Sequence, residues 1–226
     1  MVALFVAFMF VGLVLTDLGL HKWNAWQTVR TAERAQRDSI ISNELWEVPE
    51  GVHLSDVHTW LRPDPKGGLE VGADPFITHA IGAVGRVVLP NAGDDVTAGQ
   101  PLFRLERDGR SITIPCTVAG RVAAVNTRLQ NQPTLLNSDP YGRGWICRMT
   151  PASAGAVKPN VRFGESAMIW LESEFNRLRE FLSVEIMSDI DLGVTSLDGG
   201  FPTVGCLSEL DQAAWGSFEA EFLKLK

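Results

Sequence analysis

Between Gly51 and Thr150 glycine and proline recur every few residues, and the runs left between them are short, apolar and β-branched. A stretch punctuated this densely cannot hold long helices, because glycine and proline end them; it reads as short strands joined by turns. The runs Gly85-Arg86-Val87-Val88-Leu89, Pro101-Leu102-Phe103-Arg104-Leu105, Ser111-Ile112-Thr113-Ile114 and Gly120-Arg121-Val122-Ala123-Ala124-Val125 predict strands. Leu102, Arg104 and Glu106 alternate imperfectly with Phe103 and Leu105, the period of a half-buried strand.

Ala83–Val88 and Val118–Ala123 share Gly-Arg-Val, 35 residues apart. Two copies of a small unit packed face to face would give a flattened sandwich or barrel. Between them, Asp108-Gly109 separates two strand-like runs. That dipeptide is a strong hairpin signal, because a type I′ turn needs positive φ at both central residues. Residues 107–110 are therefore expected to project as a tip.

The first residues differ in kind. Val2 to Leu15 carries no charge and no proline, and continues to Leu20 interrupted only by Asp17. This is about the length that crosses a bilayer, and Trp23 and Trp26 follow as interfacial residues would. A cleaved signal peptide is the alternative, but no basic residue precedes the apolar run. Lys22, Arg30, Arg34 and Arg37 all follow it, so the positive-inside rule places the remainder in the cytoplasm. The expectation is a single-pass inner-membrane protein. Its domains would be an anchor over 1–20, a polar stalk helix and linker over 21–50, a β domain over 51–155, and a helical extension over 156–226.

The net charge is −7, and the last third (151–226) contributes −6 of it, from 12 acids against 6 bases. An acidic chain does not suit nucleic acid. The three cysteines, Cys116, Cys147 and Cys206, have no C-x-x-C spacing, and His21, His53, His58 and His79 pair with none of them at zinc-ligand spacing. No metal site is expected. No histidine falls in the last 140 residues, so a buried, inert thiol is expected at Cys206 rather than a nucleophile.

Residues 57–150 also resemble a known family. His58-Thr59-Trp60-Leu61-Arg62, Val71-Gly72-Ala73 with Ile81-Gly82-Ala83-Val84, Leu89-Pro90-Asn91-Ala92-Gly93, and Thr117-Val118-Ala119-Gly120-Arg121-Val122 follow one another in its order. The most specific match is Leu136-Asn137-Ser138-Asp139-Pro140-Tyr141-Gly142-Arg143-Gly144-Trp145. These segments are similar to the H protein of the glycine cleavage system. The resemblance implies a mainly β, barrel-sandwich hybrid fold of the lipoyl-domain type, here joined to an N-terminal transmembrane helix and C-terminal helices. It also implies lipoate as cofactor, borne as an amide on a lysine at an exposed hairpin tip.

This chain departs from the family at that tip. Glu106 matches the family's glutamate, and the position of the lysine is Gly109. Arg107 and Arg110 cannot replace it, because a guanidinium stays protonated and is no acylation nucleophile. The five lysines are Lys22, Lys66, Lys158, Lys224 and Lys226.

Beyond the match, Met168, Leu171, Phe175, Leu178 and Leu182, widened by Ile169 and Phe181, predict an amphipathic helix over 164–183. Ser208 with Asp211 resembles a capping box opening a last helix striped by Trp215, Phe218 and Phe222.

Together these features point to a non-enzymatic, non-lipoylated, membrane-tethered interaction or scaffold module. Glu106, Arg107, Asp108 and Arg110 are its candidate partner contacts. The alternative is a working carrier shuttling an aminomethyl group on lipoate.

Overall fold

The computed structural model describes residues 47–65, 67–153, 161–188 and 202–225. The anchor expected over 1–20 and the stalk expected from 21, up to residue 46, lie outside them. Among the described residues no helix is long and apolar enough to cross a membrane. Residues 47–226 form one compact unit.

Among the described residues ten strands make two antiparallel sheets. The strands are β1 (His53–Ser55), β2 (Thr59–Pro63), β3 (Leu69–Ala73), β4 (Arg86–Val88), β5 (Asp95–Val96), β6 (Pro101–Arg107), β7 (Arg110–Pro115), β8 (Gly120–Val125), β9 (Trp145–Pro151) and β10 (Val161–Phe163). The larger sheet runs β10-β1-β2-β3-β9-β8-β5 and the smaller runs β4-β6-β7. Trp60, Leu61, Val71, Val122, Ile146 and Met149 of the large sheet and Leu105, Ile112 and Ile114 of the small one are buried. The mainly β reading holds. The four expected strands are all present, three in the small sheet and one in the large. The two Gly-Arg-Val echoes fall on β4 and β8, in different sheets.

Among the described residues four α-helices accompany the strands. Helix α1 (Pro75–Ile81) starts where the Asp74 carboxylate accepts the Ile77 amide at 3.4 Å, with proline in the first turn, and it ends at Gly82 with φ of 81°. Six of its seven residues are buried. A seven-residue helix buried at six positions gives no amphipathic period, which is why it escapes a reading by periodicity. Helix α2 (Leu135–Ser138) is a single turn.

Helix α3 (Gly164–Ser188) covers the expected 164–183. Its buried face is Ala167, Leu171, Glu174, Phe175, Leu178 and Phe181. The stripe predicted from sequence needs a correction: Met168 and Ile169, counted into it, are 45% and 61% exposed, and Glu174 lies inward instead. Helix α4 (Gln212–Phe222) buries Trp215, Phe218 and Phe222 as expected. Its cap is Asp211 alone, which accepts from the Ala214 amide at 2.8 Å. Ser208 belongs to the preceding 3-10 turn, Cys206–Glu209, where its hydroxyl donates to the Gly205 carbonyl at 2.6 Å.

Strand β10 lies beyond the expected domain boundary at 155 yet pairs with β1, and α4 packs against β7. The extension thus builds on the β domain instead of standing apart from it.

Candidate functional site

The candidate site is the β6–β7 hairpin. Leu105 faces Ile112, Glu106 faces Ser111 and Arg107 faces Arg110 across the ladder. Asp108 (φ 49°) and Gly109 (φ 79°) close it with positive φ at both positions, the turn that Asp-Gly predicts. A Cβ at 109 would meet nothing within 4 Å among the described residues. The tip is therefore open, and the residue at the lysine position presents only backbone.

The four candidate contacts are placed differently. The Glu106 carboxylate takes a hydrogen bond from Arg86 at 3.1 Å across the strand pair. Asp108 is 71% exposed in its side chain, with Arg107 Nε at 3.2 Å. Arg107 itself is only 25% exposed. Its guanidinium turns back and donates to the Ile81 carbonyl at the end of α1. Arg110 donates to the Ser208 carbonyl at 2.9 Å and to the Leu210 carbonyl, with its guanidinium 6.0 Å from the Trp215 ring. Both arginines thus occupy carbonyls left without intrahelical partners at helix or 3-10 ends.

The segment from Pro202 to Leu210 is what receives Arg110. His79 donates through Nε2 to the Pro202 carbonyl at 2.7 Å, and the Gly205 amide donates to the His79 carbonyl at 2.7 Å. Gly82 and Gly205 come so close that a Cβ on Gly82 would stand 2.8 Å from the Gly205 Cα and collide with the Arg107 guanidinium. Trp215 donates to the Leu207 carbonyl at 2.7 Å. One flank of the hairpin is thereby sealed by the extension. Sequence reasoning missed this: the Asp198–Leu207 stretch reads only as a turn-rich loop, and nothing in it announces the arginines it will face.

Cys206 is buried against the Ala80 carbonyl at 3.7 Å, and burial pushes its thiol up to about 12. Burial likewise pushes Cys147 up to about 12, with Cys116 nearby adding to it. Such thiols hold little thiolate near neutrality and do not suit nucleophilic catalysis. Lys224 is the one lysine among the described residues; it is exposed and stands by Gly99, Pro101, Thr113 and Pro115, at the opposite end of the hairpin from its tip.

A second cluster lies inside. His58, fully buried, joins Asp74 of the α1 cap and Glu174 of α3. The sequence offered His58 only as part of a family motif, and Glu174 not at all.

Comparison with known proteins places the β domain. A family model described as glycine cleavage H-protein matches residues 52–167. The glycine cleavage system H protein of Mycobacterium avium is 35% identical over 112 residues, which cover 50% of this chain and 85% of that protein. The H protein of Chromobacterium violaceum is 34% identical over 107 residues, covering 47% of this chain and 84% of that protein. A crystal structure of the H protein from Mycobacterium marinum aligns over 56% of this chain and 99% of that one, at 25% identity and a TM-score of 0.49. These matches correct the expected location as a single-pass inner-membrane protein. The relatives are glycine cleavage system H proteins, and no helix among the described residues is long and apolar enough to span a bilayer.

Proposed function

Since this chain belongs to the glycine cleavage H-protein family, a family of lipoyl carriers, we propose that its β domain is a protein-recognition module of carrier shape that bears no arm at its hairpin. The observation that supports this is the tip itself. Asp108-Gly109 presents a carboxylate and bare backbone, and the flanking arginines are turned onto carbonyls of the same chain. Lipoylation forms an amide on a primary amine, and a guanidinium offers none at any accessible pH.

On this reading the partners are proteins, and the contact surface is the tip with its unsealed flank. Asp108 is the side chain presented outward. Glu106 and Arg86 form the charged pair beside it, and Arg107 and Arg110 set the shape of the tip by tethering it. No catalytic group is assigned.

A second reading, a working carrier shuttling an aminomethyl group, is favoured by the family match, which spans 85% of a curated H protein. It requires the arm on another lysine, and Lys224 is the described candidate, far from the tip. Intact-mass measurement of the full chain produced in a lipoylation-competent host separates the two. The proposal expects the unmodified mass. A gain of roughly 190 Da, the size of an amide-linked lipoyl arm, would replace it with the carrier, and peptide mapping would name the lysine.

A further inference from the structure

We propose that His58 is the pivot of an ion chain that latches helices α3 and α4 onto the β domain and loosens them as the pH rises. This device is independent of whether the hairpin carries an arm.

His58 lies in the turn before β2 with φ of 58°, a left-handed conformation in which a histidine is strained. Its backbone is held there: its amide donates to the Ser55 carbonyl at 3.2 Å, and its own carbonyl accepts the Asp74 amide at 3.0 Å. The imidazole lies flat against Phe76, ring centres 3.9 Å apart, with Trp170 of α3 4.9 Å away. Nδ1 is 2.9 Å from Asp74 Oδ2, and Nε2 is 3.5 Å from Glu174 Oε2. The ring therefore sits between two carboxylates, one from the cap of α1 and one from α3.

The chain of charges continues outward. Glu174 accepts from Arg177 at 2.9 and 2.6 Å, and Arg177 reaches Glu221 of α4 at 3.2 Å while lying 4.8 Å over the Phe222 ring. The neighbours on the other sides are settled among themselves. Arg162 of β10 pairs with Asp56 at 2.5 Å and lies over Trp170, and Ser55 and Thr59 bond each other at 2.7 Å. The Tyr141 hydroxyl is buried and neutral, its ionisation opposed first by burial and then by Asp74.

A protonated imidazole donates to Asp74 and sets its second N–H and its charge toward Glu174, which stands 3.5 Å off as an ion pair with no hydrogen bond made. A neutral one has a single N–H. If it serves Asp74, the lone pair of Nε2 faces the Glu174 carboxylate in a site without water's screening, and the contact turns repulsive. Asp74 is also fixed by the α1 cap, so Glu174 is the side that gives way, and α3 and α4 move with it.

The titration direction agrees. Burial acts against charge on His58, but Asp74 and then Glu174 outweigh it and lift the histidine above its ordinary 6.5. A folded pKa raised in this way contributes stability below the unfolded value and loses it as pH climbs through the folded one. Glu174 is held below its ordinary range: burial opposes this, but the pull of His58 and the bonds from Arg177 prevail. Its contribution is lost only on acidification. The latch is therefore closed below pH 6.5 and opens as the pH climbs through the raised His58 midpoint.

Hydrogen exchange of the full chain, from about pH 6 to about pH 9 with labelling times scaled for the base-catalysed rate, reads the latch directly. Protection in 171–181 and 214–222 should fall by up to about tenfold per pH unit where the open state has lost the His58 proton and the folded state still holds it, and level off above the folded midpoint, as a single titrating proton dictates, while β3 and β9 hold theirs. Glu174→Gln should abolish that pH dependence. Helices that lose protection only in step with β3 and β9, or a Glu174→Gln protein with the wild-type profile, would overturn the latch. Should Glu174→Gln fail to fold, imidazole nitrogen NMR of the wild type decides instead. A His58 midpoint above 6.5 shared by amides of α3 supports the latch, and a midpoint at or below 6.5 removes it.

Discussion

Trp60 of β2 stands opposite Gly72 of β3, and its indole fills the space where a side chain on residue 72 would begin. A Cβ there would fall 2.5 Å from Cζ2 and Nε1 of the ring. The indole N–H donates to the Pro140 carbonyl at 3.1 Å and the ring packs by Tyr141, so this pair fastens the Asp139–Trp145 segment to the sheet. Gly72→Ala has no room to form without moving the largest buried ring of the β domain. It should cost about 2–3 kcal/mol, the scale of overpacking in a close-packed core. Adding Trp60→Phe should recover part of that loss in a double-mutant cycle read by urea denaturation. Independent, additive losses would show that the close approach is not the cause.

Arg110 is the tether between the hairpin and the extension. Arg110→Ala strips donors from the Ser208 and Leu210 carbonyls and removes the guanidinium beside Trp215. The expected loss is about 1–3 kcal/mol, because charged donors to carbonyls carry that much. Arg110→Lys should recover little of it, since one ammonium cannot reproduce the forked geometry. Thermal melting checks both variants.

The turn at the tip makes the lysine position costly to refill. Gly109 holds φ of 79°, which a side chain adopts only under strain. Gly109→Ala should destabilise the fold by about 1 kcal/mol even though the new methyl meets nothing. Gly109→Lys should cost a similar amount. Stability by denaturant titration is the readout, and an unchanged midpoint for both variants would mean that the turn relaxes freely.

The thiols should be silent in the native state. Burial pushes Cys147 and Cys206 up to about 12 and raises Cys116 as well. A thiol-reactive dye at about pH 8 should react slowly with the folded chain and titrate all three cysteines once guanidinium is added. Rapid native labelling at Cys206, located by peptide mapping, would contradict its burial.

The sequence disclosed those parts of the molecule whose cause is local. The hairpin turn was readable because Asp-Gly has few other uses between strands, and β6 and β7 because their side chains alternate. The Trp215–Phe218–Phe222 stripe follows from spacings of three and four, whereas the cap expected at Ser208 is Asp211. What escaped is set by contacts between distant segments. Helix α1 is hidden because six of its seven residues are buried. Met168 and Ile169 look like core but are exposed, because the β domain meets α3 along Ala167, Leu171 and Glu174. At the candidate site the missing amine is plain in the text, whereas the tethering of Arg107 and Arg110 depends on residues 26 and up to 100 positions away in sequence.

Strands β1 and β10 lie side by side at the outer edge of the large sheet, His53 facing Phe163. The stretch matched by the family thus begins and nearly ends at a single seam. Chain appended at either end of that stretch leaves the strand order untouched, and a short peptide bridging 163 to 53, with new termini cut in a surface loop elsewhere, would keep that order while shedding α3 and α4.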